Sequence, residues 1–421
     1  MKKTSRIPGF YNLSPDERLN LVKEFADLTG EEVKLLRNTG ALPLEQADRM
    51  VENVIGALQL PLGVAVNFLI NGREYLIPMA IEEPSVIAAA SNAAKLARET
   101  GGFRAQSMGS IMIGQIQVTK LKDPHRARFS VLMEEDRIIE EANRRDPILI
   151  AHGGGVKRVT ARVVSGTSKP MLIVELHVDC KDAMGANVVN TMAEAVAPII
   201  EEATGGDVLL RIVSNLCVER LAMASVTISK ESLGGEDVVD GIVEAYELAA
   251  SDIYRCATHN KGIMNGIIAV ALATGNDTRA LEAGAHSYAA LKEGYRPLTV
   301  WEKSEEGDLA GSIELPIAVG VIGGATAVHP IAKISRKILR VKTAKELAEV
   351  MAAVGLAQNL AALRALVTEG IQRGHMKLHA RNIAAMAGAK GPLIDKIARK
   401  MVEEGNIRLD RAKELLQSIE H

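Results

Sequence analysis

Apolar positions along this chain recur with two different periods, and the changes between them mark out its elements. Ser14-Pro15-Asp16-Glu17 supplies a cap, a proline for the first helical position and two acids for the first turn, so the periodic stretch 14–58 predicts helix. Apolar runs flank Asn71-Gly72, the side-chain signature of a tight type I′ turn, and 67–78 therefore predicts a hairpin. Pro84 opens a helix to about Glu99, stopped by Gly101-Gly102. A strand follows over 111–118, with a slip in alternation that predicts a bulge at Gly114-Gln115. A helix over 134–145 comes next, then strands at 159–163 and 171–178 joined by the turn 165–170, an amphipathic helix over 187–203 and a strand over 208–213. The order βαββαβ is that of a ferredoxin-like split unit.

Beyond Asn215, residues 236–257 and 343–369 read as long helices, and the tail from Gln372 as helical, charged and broken at Gly391-Pro392. The apolar runs near 266–273 and 316–322 read as buried strands. Both are shorter than the ~18 uninterrupted apolar residues of a membrane span. The first fifteen residues are basic but have no apolar core, which argues against a signal peptide.

Composition narrows the function. At roughly 150 residues per domain, 421 residues suggest two or three domains. A net charge of −2 provides no global field toward nucleic acid or an anionic membrane, and 3% aromatic residues leave little surface for base stacking. Cys180, Cys217 and Cys256 form no CxxC pair, so neither a zinc ribbon nor a disulfide framework is indicated, and a reducing cytoplasm fits.

Several segments hold candidate chemistry, each with a plainer reading. Glu83 precedes a predicted helix and by default complements its dipole; as a carboxylic acid it could also pass a proton to a carbonyl. Lys261, in Thr258-His259-Asn260-Lys261-Gly262, is by default a solvated lysine, but the flanking residues suggest a loop entering an interior, where an ammonium could stabilise an oxyanion. Asp277 is by default a turn residue, or a group that holds Lys261. His375 and His379 share a helix face, yet Met376 stands where a zincin needs glutamate and no third ligand is evident, so one histidine acting as an acid is the stronger reading. Asp182-Ala183-Met184-Gly185-Ala186-Asn187 ends a strand and opens a helix, which suits either a capped turn or a phosphate site. Gly153-Gly154-Gly155 and Gly323-Gly324 are weaker signals of that kind. No GxGxxG follows a strand, so a Rossmann site is not supported.

Together with Glu52-Asn53-Val54-Ile55-Gly56, Gly275-Asn276-Asp277 and Gly374-His375-Met376, these segments occur in the order seen in 3-hydroxy-3-methylglutaryl-coenzyme A (HMG-CoA) reductases, and the chain resembles that family from Arg6-Ile7-Pro8 to its tail. Ala186 in the DAMGAN motif and the absence of an anchor resemble its soluble class II. The resemblance implies an α+β fold: a large mixed substrate domain (1–108 and 216–371), an inserted ferredoxin-like cofactor domain (109–215) and a C-terminal helical flap (372–421). It implies an obligate homodimer with interfacial active sites, and interconversion of HMG-CoA with mevalonate and coenzyme A by two nicotinamide hydride transfers through mevaldyl-CoA and mevaldehyde. It assigns Lys261, positioned by Asp277, to the oxyanion, His375 to the departing thiolate and Glu83 to proton delivery. Ser85, Arg255, Asn265 and Gln358 would hold the substrate; Asp182, Met184, Gly185, Ala186 and Asn187 would bind cofactor. No metal is implied. Asp146 would accept the ribose 2′-hydroxyl and repel a 2′-phosphate, so NAD(H) is expected over NADP(H), an alternative that Arg144 and Arg145 keep open. No serine stands between Met376 and Ile383, so control by phosphorylation there is not expected. Cys256 reads as a small buried hydrophobe. The competing readings are a zinc hydrolase using His375 and His379, and a ferredoxin-like acyl-CoA-binding protein without turnover.

Overall fold

The computed structural model describes residues 3–166, 169–292, 294–368 and 371–420, the side chains of 371–378 and 419–420 excepted. The predicted hairpin is present and longer than its apolar signal: β1 (Leu62–Ile70) and β2 (Arg73–Ala80) pair antiparallel around Asn71 and Gly72, whose φ values of 51° and 73° are those of a type I′ turn. The region 14–58, predicted as helix, is three short helices, Pro15–Ala26, Gly30–Arg37 and Leu44–Asp48, followed by an irregular stretch to residue 61. Left-handed Asp27, a capping box at Thr29 and Glu32, Pro43 and left-handed Asn53 interrupt the helical period. Residues 49–60 are largely exposed, and Ile55 and Leu58 have no apolar cover.

A four-stranded antiparallel sheet carries the central core, in the order β3 (Arg104–Ser107), β8 (Leu221–Ile228), β10 (Leu309–Pro316) and β9 (Thr299–Lys303). β3 and β8 are neighbours in space but are separated by more than a hundred residues of chain. That intervening chain forms a second sheet: β4 (Ile111–Thr119), β5 (Gly155–Ser165), β6 (Pro170–Asp179) and β7 (Asp207–Ser214), ordered β5-β6-β4-β7 and antiparallel throughout. This is the split βαβ arrangement expected from alternation alone. Its core runs from Met112, Ile116 and Leu176 to Val189 and Ile200 on helix Ala186–Thr204.

Three details differ from the sequence reading. The ladder irregularity lies between Gln117 and Val118 against β7, not at Gly114-Gln115, because Gly114 stays in register and lets Val189 approach. The helix predicted over 134–145 is preceded by another, Pro124–Met133, capped by Asp123; it then continues as Glu135–Asn143 and Pro147–Ala151. The apolar run 266–273 is not a strand but the buried half of helix Ile253–Thr274, while 317–321 leaves β10 as a buried extended strap. Short apolar runs carry no period that separates the two forms.

Helix 236–257 is likewise two helices, Glu236–Ser251 and Ile253–Thr274, parted at Asp252, whose carboxylate caps the second. Helix Ala344–Val367 is apolar and long enough for a membrane span by composition, but two-thirds of its most apolar window is buried in the protein. It packs against Ile253–Thr274, helix Val86–Ala97 and the central sheet. The tail forms three helices, Ile371–Met386, Pro392–Glu403 and Leu409–Glu420, around a small core of their own that includes Ile397, Met401 and Leu415.

Candidate active site

Lys261 lies on a helix, not on the entering loop that its neighbours suggested. His259 and Asn260 are the residues that face inward. His259 Nε2 donates to Thr299 Oγ1 at 2.7 Å, and Thr299 in turn donates to Asn359 Oδ1, which also accepts from Trp301 Nε1 at 2.7 Å. Asn260 donates to the Arg296 carbonyl and accepts from Leu298 N. These bonds fix the helix against β9 and helix Ala344–Val367. Burial holds the His259 imidazole neutral, its pKa lowered to about 4.

With those two residues inside, Lys261 points outward. Its Nζ is 3.2 Å from Glu83 Oε2, and the pair is only partly shielded. Glu83 is set by the bend between β2 and helix Val86–Ala97, where Ser85 takes a left-handed φ of 81° before the helix begins. Asn265, one turn beyond Lys261, and Arg255, two turns before it, lie on the same helix. Among the described residues no carboxylate pairs with the Arg255 guanidinium, and burial lowers its pKa. Gln358 comes from the neighbouring helix. It is buried, its Oε1 has no donor, and its Cβ lies so close to Gly266 that a Cβ there would stand 3.1 Å away. The bend and the helix thus bring Glu83 to Lys261, while Arg255, Asn265 and Gln358 lie on the same helix and the one packed against it. Cys256, in their midst, is buried with its thiol pushed up to about 11, which leaves it no thiolate for catalysis.

Asp277 is elsewhere. It caps helix Thr278–Ala289, accepting from Arg279 N and Ala280 N, and pairs with the Arg279 side chain at 3.1 Å. At about 1.5 Å per residue, Lys261 lies roughly 20 Å along the axis from the helix end at Thr274, so the expected contact between Asp277 and Lys261 does not form within one chain. Gly275 and Asn276 instead join the strap: Asn276 Oδ1 accepts from Gly320 N at 2.8 Å, and Thr326 Oγ1 donates to the Gly275 carbonyl.

The strap holds the Asp182–Asn187 turn. Asp182 accepts from Ala344 N through its carboxylate and from Val321 N through its carbonyl. Gly185, at φ 106°, has its α-hydrogens against Cys180; a Cβ there would collide with the thiol and stand 3.1 Å from Met112 Cγ. Helix Ala186–Thr204 starts here with no side-chain cap, so its first N–H groups are left for an external acceptor. A 19-residue helix with an uncapped N-terminus and a glycine entry fits the pyrophosphate of a dinucleotide. Arg220 was not anticipated from sequence. Its guanidinium is buried and donates to the carbonyls of Met184, Ala183 and Val319 at 2.8, 3.0 and 2.6 Å, clamping turn to strap. The available signal was one arginine directly before the alternating residues of β8. Asp146 caps helix Pro147–Ala151, accepting from Leu149 N, while Arg144 and Arg145 are bound to Glu140 and Glu141. His379 is exposed; the side chain of His375, on helix Ile371–Met386, lies outside the described residues.

An ammonium–carboxylate pair on the central body, with an uncapped glycine-entered helix on an inserted split-βαβ module, suits a nicotinamide-dependent oxidoreductase. The comparisons name it. Residues 14–380 match the model of the hydroxymethylglutaryl-coenzyme A reductase family. The chain is 64% identical to the 3-hydroxy-3-methylglutaryl-coenzyme A reductase of Archaeoglobus fulgidus, over 99% of this chain and 95% of that one. Its fold matches the same enzyme from Streptococcus pneumoniae with a TM-score of 0.84 at 38% identity, covering 98% of this chain and 99% of that one. A class II reductase from the same organism, bound to NADPH in open conformations, matches with a TM-score of 0.82 at 38% identity, over 97% and 100% of the two chains. The chain belongs to the HMG-CoA reductase family. It interconverts HMG-CoA and mevalonate plus coenzyme A, using a nicotinamide cofactor.

Proposed function

We propose that Glu83 and Lys261 act on the reacting carbonyl, that the Asp182–Asn187 turn holds a nicotinamide dinucleotide with NAD(H) preferred, and that the two meet across a homodimer interface. The observation that carries this reading is the 3.2 Å Glu83–Lys261 contact near the middle of a helix whose C-terminal end leads to Asp277 and the dinucleotide turn. Reacting carbonyl and nicotinamide must touch, and about 20 Å of helix separates their sites within a chain. A two-fold partner closes that gap. The face around Lys261 supports it: Ile253 and Tyr254 on the same helix, and Ile55 and Leu58 on the irregular stretch, are large apolar groups left in water. Asp277 of the second copy then orients Lys261, as the family pattern has it.

The reduced nicotinamide, when bound, supplies the two hydrides. As charge develops on the carbonyl oxygen, the Lys261 ammonium stabilises it from a fixed position. Glu83, within hydrogen-bond reach of that ammonium, delivers the proton when the aldehyde is reduced. Arg255, without a carboxylate of its own, takes the substrate's carboxylate. Gln358 offers its unsatisfied Oε1 to the substrate hydroxyl, and Ser85 and Asn265 complete the cradle. Met184, Gly185, Ala186 and Asn187 present backbone N–H groups to the pyrophosphate. His375 protonates the thiolate of coenzyme A from the first C-terminal helix. In this reading 1–108 and 216–371 form the substrate body, 109–215 the cofactor module and 372–421 the flap, in a cytoplasmic, class II enzyme.

NAD(H) preference rests on Asp146, with Arg144 and Arg145 already held by Glu140 and Glu141. Nicotinamide absorbance with HMG-CoA, and in reverse with mevalonate, coenzyme A and oxidised cofactor, tests it. NADH is expected to give the higher kcat/KM, and Asp146→Ala to narrow the gap by raising the NADPH value. Equal or better efficiency with NADPH in the unaltered protein would overturn the preference.

A further inference from the structure

On the face of the central body away from Glu83, a cleft of about 600 Å³ opens between β2 and helix Pro330–Leu339. Six cations line it: Arg73, Lys333, Arg336, Lys337, Arg340 and Lys342. Arg73 starts β2, whereas Glu83 follows its end, so at ~3.3 Å per residue the cleft lies more than about 20 Å from the catalytic pair. The chain's net charge is −2, which makes this local concentration of positive charge a feature of position, not of bulk composition.

The cations are only partly answered. Arg73 meets Glu346 at 3.4 Å and Lys337 meets Glu32 at 2.6 Å; Asp27, bound to Lys3, adds a third carboxylate. Among the described residues Lys333, Arg336 and Lys342 form no side-chain ion pair, and Arg340 is answered only by the longer-range charge of Asp27. The two terminal nitrogens of Arg336 donate to the carbonyls of Val321 and Thr326, while its buried Nε–H has no partner. Arg340, at the left-handed end of its helix, lies over the Phe25 ring with 5.7 Å to the centroid, and the Arg73 guanidinium, which also donates to the Arg340 carbonyl, lies 5.1 Å from the centroid of Tyr75. The guanidiniums are therefore held in place before any ligand arrives, which lowers the ordering cost of binding.

Like charges so arranged repel unless a polyanion enters. The volume suits a small molecule. The two rings at the cleft are already covered by arginines, which leaves no surface to stack a nucleobase. We infer that this cleft, apart from the Glu83–Lys261 pair, is a second anion site for a compound carrying a diphosphate group and no base; Arg336, through Val321, and Lys342, two residues before Ala344, connect it to the segments that hold Asp182.

Titration calorimetry of the full-length protein with inorganic pyrophosphate, and separately with an alkyl diphosphate, tests this. Binding is expected, weakening as salt rises. Lys333→Gln with Arg340→Gln should weaken it at least about tenfold while leaving HMG-CoA turnover and melting temperature unchanged. Should that double variant fail to fold, Lys342→Gln, an exposed change beyond the helix, should weaken binding by a smaller factor. The tighter of the two ligands identifies whether the free anion or its ester is preferred, and either order supports a diphosphate site. Absence of binding, equal affinity in the variants, or displacement by coenzyme A or by the reduced dinucleotide would overturn the inference.

Discussion

Lys261→Ala is expected to fold normally and to lose roughly 10²–10³-fold in turnover of HMG-CoA, the cost typical of removing one fixed donor to a developing oxyanion. Folding should survive because the side chain is 61% exposed and its hydrogen bond is to Glu83; the helix is fixed by His259 and Asn260, which face the other way. KM for HMG-CoA should change little, since Arg255 and Gln358 are untouched. Steady-state kinetics with a melting curve as control reads both effects. A folded variant that kept more than about a tenth of the rate, a loss of under ~1.4 kcal/mol in transition-state stabilisation, would remove Lys261 from the oxyanion role.

The second large effect is at the dinucleotide turn. Gly185→Ala places a Cβ against the Cys180 thiol, 2.9 Å from Cys180 Cβ and 3.1 Å from Met112 Cγ, in a backbone with φ 106° that an alanine rarely adopts. Cys180 and Met112 sit in the closed core of the small sheet, so the turn must yield. Displacing it moves the first N–H groups of helix Ala186–Thr204 away from the pyrophosphate. A shift of about 1 Å suffices for a loss on the order of 10²-fold. The loss should fall on the KM for nicotinamide, with HMG-CoA affinity retained, because the substrate residues lie on other elements. A rise in KM for HMG-CoA with unaltered cofactor KM would contradict the assignment of this turn.

Local signals were legible in the sequence wherever the physics is local. Asn71-Gly72 specified its turn because positive φ at both positions needs those residue types. The small sheet could be read strand by strand, most clearly in β4, which alternates between a core face and its opposite along its whole length, and β3 and β8 flank it as neighbours in the central sheet. The sequence points Lys261 to a loop because polar His259 and Asn260 and two nearby glycines do not look like a buried helix. What makes them buriable is a set of partners, Arg296, Leu298 and Thr299, supplied from about forty residues downstream. Arg220 escaped notice for the same reason: its three acceptors are backbone carbonyls of distant segments, and carbonyls carry no sequence signature. Motif order placed Asp277 beside Lys261 in function. Only geometry shows that a helix stands between them in one chain. The basic cleft was partly legible: five of its six cations stand in the single stretch 333–342, and Arg73 joins them only through the fold.

In the proposed two-fold assembly each reacting centre takes Lys261 from one protomer and its dinucleotide turn from the partner. Mixing subunits measures this directly. Lys261→Ala and Gly185→Ala chains are unfolded together, refolded as a mixture and assayed by nicotinamide absorbance at a cofactor concentration near the KM of the unaltered protein, where the raised KM of the second leaves each nearly inactive alone. If the sites are shared, every mixed dimer has one centre with both lesions and one with neither, and about a quarter of full activity returns for random pairing in a two-fold dimer. If each chain carried a whole site, every centre would hold one lesion, and the mixture would remain as inactive as its parents.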